Sequence, residues 1–247
     1  MTVSSSAEPV KFSTLTSTSP AASPALTWAA VEPRSTLTPA AAALAFVDAD
    51  KGVADGSAAL EGARAILLER FSEEPTLVGE LREWLYENGR IHARVVPGKE
   101  NEGAKFRDYF DFVDSLVSMP SHRTLALFRA RAEGVLDLDL EPVPVRRNDA
   151  RGGSDEAEAI EQGHRSAETR VAHRVGVADR GRPADVWLLE TCRQTWRYKL
   201  HVRLTLDLFS RVRERAEEEA IRVFGDNLKD LLLAPPAGPK AVLGLDP

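Results

Sequence analysis

From Leu188 to Leu232 an apolar residue returns at every fourth position: Leu188, Cys192, Trp196, Leu200, Leu204, Leu208, Val212, Ala216, Ala220, Phe224, Leu228 and Leu232. This spacing is helical, and it commits a long stretch of the chain to one geometry. Each step of four residues advances about 40° beyond a full α-helical turn, so the stripe winds around a straight helix. Either partners meet successive faces or the helix breaks. We expect a break near Tyr198 to Arg203, then a long helix to about Leu233, ended by Pro235 and Pro236.

Helical signals also dominate upstream. Thr38-Pro39 is an N-cap followed by a first-turn proline, and its helix is expected to reach about Ala49. Asp55 caps the next helix, with Leu60, Ala63, Leu67 and Phe71 as its stripe. A third runs from about Glu73 to the Asn88-Gly89 C-cap pair, burying Leu77, Leu81, Trp84 and Leu85. Ser121 is read as the N-cap of a helix over His122 to Glu133, with Leu125 and Phe128 inward and Gly134 at its C-terminal end.

Two stretches change to period two: Ile91, Ala93 and Val95 alternate with His92 and Arg94, and Leu136, Leu138 and Leu140 with Asp137, Asp139 and Glu141. Their polar residues carry opposite signs, which suits pairing of the two strands. Pro142 to Gly153 reads as a loop, Ser154 to Arg174 as a polar peripheral helix, and Val175 to Arg182 as a linker. Pro183 opens the final helical stretch, and Ala241 to Leu245 is a lone apolar strand. The fold class is mainly α: a multi-helix scaffold with two short strands, a disordered N-terminal tail and an orphan C-terminal strand.

Several runs resemble the Tex family, the bacterial transcription accessory proteins. Gly98-Lys99-Glu100 with Gly103-Ala104-Lys105-Phe106-Arg107-Asp108-Tyr109-Phe110 forms one block, and Pro120-Ser121-His122-Arg123 with Leu125-Ala126-Leu127-Phe128-Arg129 the next. Phe46-Val47-Asp48 and Gly62-Ala63-Arg64-Ala65-Ile66-Leu67 also fit. Downstream, Glu219-Ala220-Ile221-Arg222-Val223-Phe224 with Asn227-Leu228 is similar to the family's helix before its RNase H-like domain, and Val242-Leu243-Gly244-Leu245-Asp246-Pro247 to that domain's first strand. The resemblance covers roughly 35–247. It implies an internal slice of a larger protein, without most of the helix-turn-helix region or the RNase H-like, helix-hairpin-helix and S1 domains. The units it suggests are a Tex-like helical region at 37–141, a loop and peripheral helix at 142–182, a long helical segment at 183–236, and the truncated domain's strand at 237–247. It implies RNA or other nucleic acid as ligand and the transcription machinery as partner. Binding by this chain is expected to be weak, because the family's S1 domain is expected to carry much of the RNA contact.

The residues themselves set bounds on that reading. The single cysteine, Cys192, excludes an intrachain disulfide and fits a reducing compartment. No apolar run approaches a membrane span, so a cytoplasmic location without membrane contact is expected. A net charge of −6 weighs against nucleic-acid binding over the whole surface. Charge is uneven, however. Lys99, Lys105, Arg107, Arg123, Arg129 and Arg131 could meet phosphates, with Phe106, Tyr109 and Phe110 near enough to stack bases. Arg193, Arg197, Lys199 and Arg203 head a second, cleaner basic cluster. The plainer reading pairs the first set with Glu100, Glu102, Asp108 and Asp111, because opposite signs are interleaved, and leaves the aromatics to the core. A neutralised surface would favour a protein-interaction scaffold over a nucleic-acid binder. A truncated product with no role of its own is a further alternative.

Nothing in the sequence points to turnover, a cofactor or a metal. Asp108, Asp111 and Asp114 have helical spacing but no further convergent oxygens. His92, His122, His164, His173 and His201 lack zinc-like spacing and read as solvated or packed. Cys192 lies on the apolar stripe and reads as core, and Gly152-Gly153 stands in a polar loop rather than after a strand. Asp246 matches a first-strand carboxylate of RNase H-like folds by resemblance, yet a two-metal site needs further carboxylates.

Residues 2–36 are rich in Ser, Thr, Ala and Pro with almost no charge, a composition that cannot offset its own chain entropy by burial. The tail at 1–36 is therefore expected to be disordered or mistranslated. For Ser13 to Pro20, the neighbouring reading frame can encode a Leu-Tyr-Leu-Pro run resembling one that Tex proteins carry upstream. Sequencing the encoding DNA tests this expectation, which fails if that frame holds no such run.

Overall fold

The computed structural model describes residues 38–143 and 154–235, together with 238, 239, 241 and 243. The expected N-terminal tail, most of the Pro142–Gly153 loop, most of the terminal strand, and Asp246 lie outside these residues. Among the described residues the fold is mainly α, seven α-helices around one small antiparallel sheet.

The helical stripe does not break. Helix α6 (Asp185–Gln194) runs into a π-helical segment (Thr195–Leu200) and on into α7 (His201–Leu232). The His201 amide bonds to the Trp196 carbonyl, five residues back. This wider turn rotates less per residue and offsets the excess that every four-residue step accumulates in an α-helix. Cys192, Trp196, Leu200, Leu204, Leu208, Val212 and Ala216 all remain buried as a result. Beyond Ala216 the stripe leaves the core, and Phe224 is 68% exposed.

Upstream, α1 (Pro39–Ala43) is capped by the Thr38 hydroxyl, as expected, but is shorter than the sequence suggested. A 3-10 turn over Leu44–Phe46 follows, and a bridge between Asp48 and Val53 redirects the chain. Asp55 caps α2 (Gly56–Ser72), whose stripe is uneven: Phe71 is buried, Leu60 and Leu67 are half-buried, and Ala63 is exposed. Helix α3 (Pro75–Asn88) buries Leu77, Leu81 and Leu85, and Trp84 meets Trp196 edge-on at 6.4 Å. Gly89 is not a left-handed cap; its φ is −92°. It is needed for another reason: a Cβ there would stand 2.3 Å from the Leu85 carbonyl oxygen.

The sheet order is β2-β1-β3, from β1 (Arg90–Val95), β2 (Asp111–Ser115) and β3 (Leu136–Glu141). Pairing of β1 with β3 matches the alternation in sequence, placing Ile91 against Leu140 and Arg94 against Asp137. Strand β2 was not anticipated. Its five residues include Asp111 and Asp114, and it follows a 3-10 turn over Ala104–Tyr109, so Asp108, Asp111 and Asp114 never share a helix.

Helix α4 (Ser121–Ala132) lies against β3 and α7. Phe128 meets Phe209 edge-on at 5.6 Å. Ser121 is its first residue rather than its cap, and the Ser121 hydroxyl donates to Glu219 instead. Gly134, at φ +70°, closes the helix, with the Val135 amide reaching back to the Ala130 carbonyl.

Helix α5 (Ser154–Arg174) has the expected bounds but is no peripheral element. It buries Ala167, Val171 and Ala172 and packs on α3, α6 and the π-helical segment. Its closest approach is at Gly163, where a Cβ would stand 1.9 Å from the Pro142 carbonyl oxygen. Gly163→Ala should therefore destabilise the fold despite the better helix propensity of alanine, which is worth about 1 kcal/mol. Urea denaturation checks this, with a lowered midpoint as the expected result.

Candidate nucleic-acid interface and buried charge network

The basic residues singled out in the sequence occupy two regions, and most of them face carboxylates. In the first, Lys99 pairs with Glu102 at 2.6 Å, and Lys105 and Arg129 meet Glu133 at 2.7 and 3.0 Å. Arg123 sits 3.5 Å from Asp114 and 5.7 Å from the Phe112 ring centroid. Arg131 stands over Phe209, and Arg107 is exposed. Phe106 is buried, while Tyr109 and Phe110 are half-buried, so this aromatic group serves packing more than stacking. Glu102 is the one expected acidic partner that appears; Asp111 turns instead to His92, and Glu133 takes two cations.

The second cluster is also neutralised. Arg197 binds Glu161 and Glu168 of α5 at 2.8 Å each, Arg193 forms a two-point pair with Glu190, and Lys199 meets Glu69 at 2.7 Å. Arg203 donates to the Ser72 carbonyl at 3.4 Å. Exposed pairs of this kind add at most about 1 kcal/mol each to stability. Their larger effect is to cancel the positive potential that phosphates would seek.

A denser constellation lies on the polar face of the sheet, where strand alternation places Arg90, His92 and Arg94 opposite Glu141, Asp139 and Asp137. Arg90, 1% exposed, gives Nε to Glu141 at 2.8 Å and Nη2 to Glu156 of α5 at 2.5 Å. The His92 ring lies between two acids, Nδ1 2.9 Å from Glu141 and Nε2 2.8 Å from Asp111. Both contacts are satisfied together when both nitrogens carry protons. Hydrogen bonding to Glu141 accordingly raises the His92 pKa above its ordinary value against the opposing effect of burial, and Asp111 adds to the rise. Arg94 then donates to Glu141 and Asp139 rather than to the ring. Burial alone would raise the Glu141 carboxyl; hydrogen bonds from His92 and Arg90 outweigh it and hold the group at about 2.

His92, Glu141 and Glu156 stand close enough to share a metal ion. The Arg90 guanidinium, however, already engages both carboxylates, so a dication would have to displace a buried charge. The donor set fits an ion-pair core, not a metal centre. Neither His122 nor His173, both exposed, joins it.

Beside this network the other two histidines pack against Trp196. The indole Nε1–H donates to His164 Nδ1 at 3.0 Å, which fixes the proton of neutral His164 on Nε2. His201 donates from Nε2 to the Leu140 carbonyl at 2.9 Å. Burial, then the charges of His201 and Arg197, push His164 down to about 4, and burial lowers His201. Together with Arg94, Asp139, Val202 and Leu206 they line an open groove of about 400 Å³. The strand alternation marked half of this region in the sequence. The histidine pair, 37 residues apart as His164 and His201, carried no local signal. Cys192 is core, its thiol pushed up to about 12 by burial and so held protonated.

Comparison with known proteins adds a separate line. Residues 34–224 match the family model described as Tex central region-like. Over 210 residues the chain is 48% identical to Protein YhgF of Escherichia coli (strain K12), covering 85% of this chain and 26% of that protein. It is 45% identical over 214 residues to Protein tex of Bordetella pertussis, covering 85% and 25%. To the transcriptional accessory protein Tex of Neisseria gonorrhoeae it is 44% identical over 198 residues, covering 80% and 24%. The chain spans about a quarter of the length of these curated relatives.

Two outcomes follow from the network. Arg90→Met removes a buried cation from Glu141, which keeps His92 and Arg94, and from the half-buried Glu156; it should cost up to about 3–5 kcal/mol, read as a lower urea midpoint. The second concerns pH. His164, lowered to about 4 from 6.5, contributes stability that is complete above pH 6.5 and lost as pH falls toward 4. His92, raised above 6.5, contributes stability complete below 6.5 and lost as pH rises through its folded value, so it does not oppose His164 in the acid window. Glu141 weakens the fold below 4.5 as pH falls toward 2. The melting temperature should therefore drop between pH 6.5 and 4.5, and drop less in His164→Gln, followed by tryptophan fluorescence; equal slopes would count against the assignment.

Proposed function

The chain belongs to the Tex family, and on that premise we propose that it is the helical scaffold of a Tex-like transcription accessory protein, contacting nucleic acid weakly. Its role in this reading is to hold other parts of the molecule in fixed relative positions. The Neisseria gonorrhoeae relative is named transcriptional accessory protein Tex, which supports association with the transcription machinery and with RNA as its product.

One observation carries the scaffold emphasis: the candidate cations spend their charge on neighbouring acids, as Arg197 does on Glu161 and Glu168 and Lys105 on Glu133. A surface built to bind phosphate keeps its cations segregated and unpaired. An overall charge of −6 points the same way. The same reading assigns the chain no catalytic step. Two strongly perturbed groups, Glu141 and His164, are explained by an ion-pair core and by burial against Trp196 rather than by a reacting centre. No described helix is long and apolar enough to cross a membrane.

Filter binding of single-stranded RNA at two salt concentrations tests this reading. Weak retention that falls steeply with salt is expected. Tight retention insensitive to salt would replace the scaffold with a dedicated RNA-binding surface.

A further inference from the structure

Among the described residues nothing covers the distal part of α7. Every residue from 221 to 235 is exposed, although Ile221, Phe224, Leu231 and Leu232 are large, apolar and between 68% and 76% exposed. Leu228 completes the set. At about 100° per residue these five side chains share an arc of about 100°. Arg222, Asp226, Lys229 and Asp230 occupy the opposite side, where Arg222 pairs with Asp226 at 3.4 Å. The rest of the fold reaches this rod from that charged side: the Ser121 hydroxyl donates to Glu219, which lies roughly 160° around the axis from Ile221. The apolar flank is thus segregated from charge and clear of α4.

Its spacing selects an occupant. Ile221, Phe224, Leu228 and Leu231 recur after three, four and three residues, the a and d positions of a heptad. The flanking e and g positions hold Ala220, Gly225, Asn227 and Leu232, none of them charged. Charges at those positions are what direct a coiled coil toward a partner of opposite sign. Without them the seam matches a surface as apolar and as evenly spaced as itself. A second copy run antiparallel supplies it: Ile221 meets Leu231, Phe224 meets Leu228, and the two-fold axis repeats both layers. Gly225, whose Cβ position is open, leaves room for Asn227 of the second copy. A parallel pair would instead bring two chains of net charge −6 together at one end of the rod. Glu217 takes the preceding d position and pairs with Arg213, which limits the seam to four layers. An interface that small associates weakly and by mass action.

We propose that the distal half of α7 pairs with the same segment of a second copy of this chain, forming a short antiparallel coiled coil centred between Phe224 and Leu228. The apolar flank supplies the affinity, and the absence of charge beside it permits self-pairing.

The test uses the whole chain. In analytical ultracentrifugation its mean mass should rise toward that of a dimer with concentration, and Phe224→Lys with Leu228→Lys should move that rise at least about tenfold higher in concentration. Both positions are exposed, so the double variant should keep its native circular dichroism. Register is read by a short bismaleimide, with the buried Cys192 spared. A mixture of Ile221→Cys and Leu231→Cys chains should cross-link, whereas Ile221→Cys alone should not. A chain that stays monomeric at every concentration leaves the flank to a different protein and overturns the proposal. Dimerisation unchanged in the folded double variant, or cross-linking of Ile221→Cys alone as efficient as that of the mixture, overturns it too. Should the double variant lose its native circular dichroism, the cross-linking result decides.

Discussion

The Arg90 guanidinium, buried between Glu141 and Glu156, is the contact on which the arrangement of sheet and helices most depends. It joins β1 both to β3 and to α5, three segments with little sequence contiguity. A buried ion pair is often no more stabilising than a hydrophobic substitute, because desolvation consumes much of its Coulombic gain. What it does well is exclude alternatives: a sheet shifted by one residue would turn these charges onto the apolar side, against Leu138 and Leu140. His92 and Arg94 extend the same logic, since both add hydrogen bonds to the buried Glu141.

The histidine and tryptophan cluster sets the other boundary of this region. Trp196 is fully buried, and its indole proton has a partner only because His164 is neutral and correctly tautomeric. The sheet face thus favours the charged form of one imidazole, while burial favours the neutral form of its two neighbours. The difference arises from surroundings: carboxylates on both sides of His92, apolar and cationic neighbours around His164. The proximity of opposite protonation preferences follows from this packing.

How much of this was legible in the sequence depends on whether the determining signal is local. The Thr38 and Asp55 caps, the Gly134 stop, the bounds of α5 and the β1–β3 partnership were all readable, because each rests on spacing or turn chemistry within a few residues. Strand β2 was not, since Asp111 and Asp114 mask any alternation and its place is set by β1. The depth of α5 was misread for a related reason. Its polar residues Glu156, Glu161 and Glu168 pair with arginines of β1 and the π-helical segment, and an apolar-face criterion cannot see that. The basic clusters stand out in the sequence, but their neutralisation does not, because it involves partners as distant as Glu69 and Lys199.

The wide turn at Thr195–Leu200 has a mechanical corollary. In an α-helix one residue corresponds to about 100° of azimuth. The wider turn advances less per residue, so its six residues cover the azimuth that about five would cover in an α-helix. Deleting one residue there would let ordinary winding resume with the distal rod, and the exposed Phe224, Leu228 and Leu232 on it, still facing the same way. The segment is thus a reserve of one residue that the chain can lose without turning the rod about its axis.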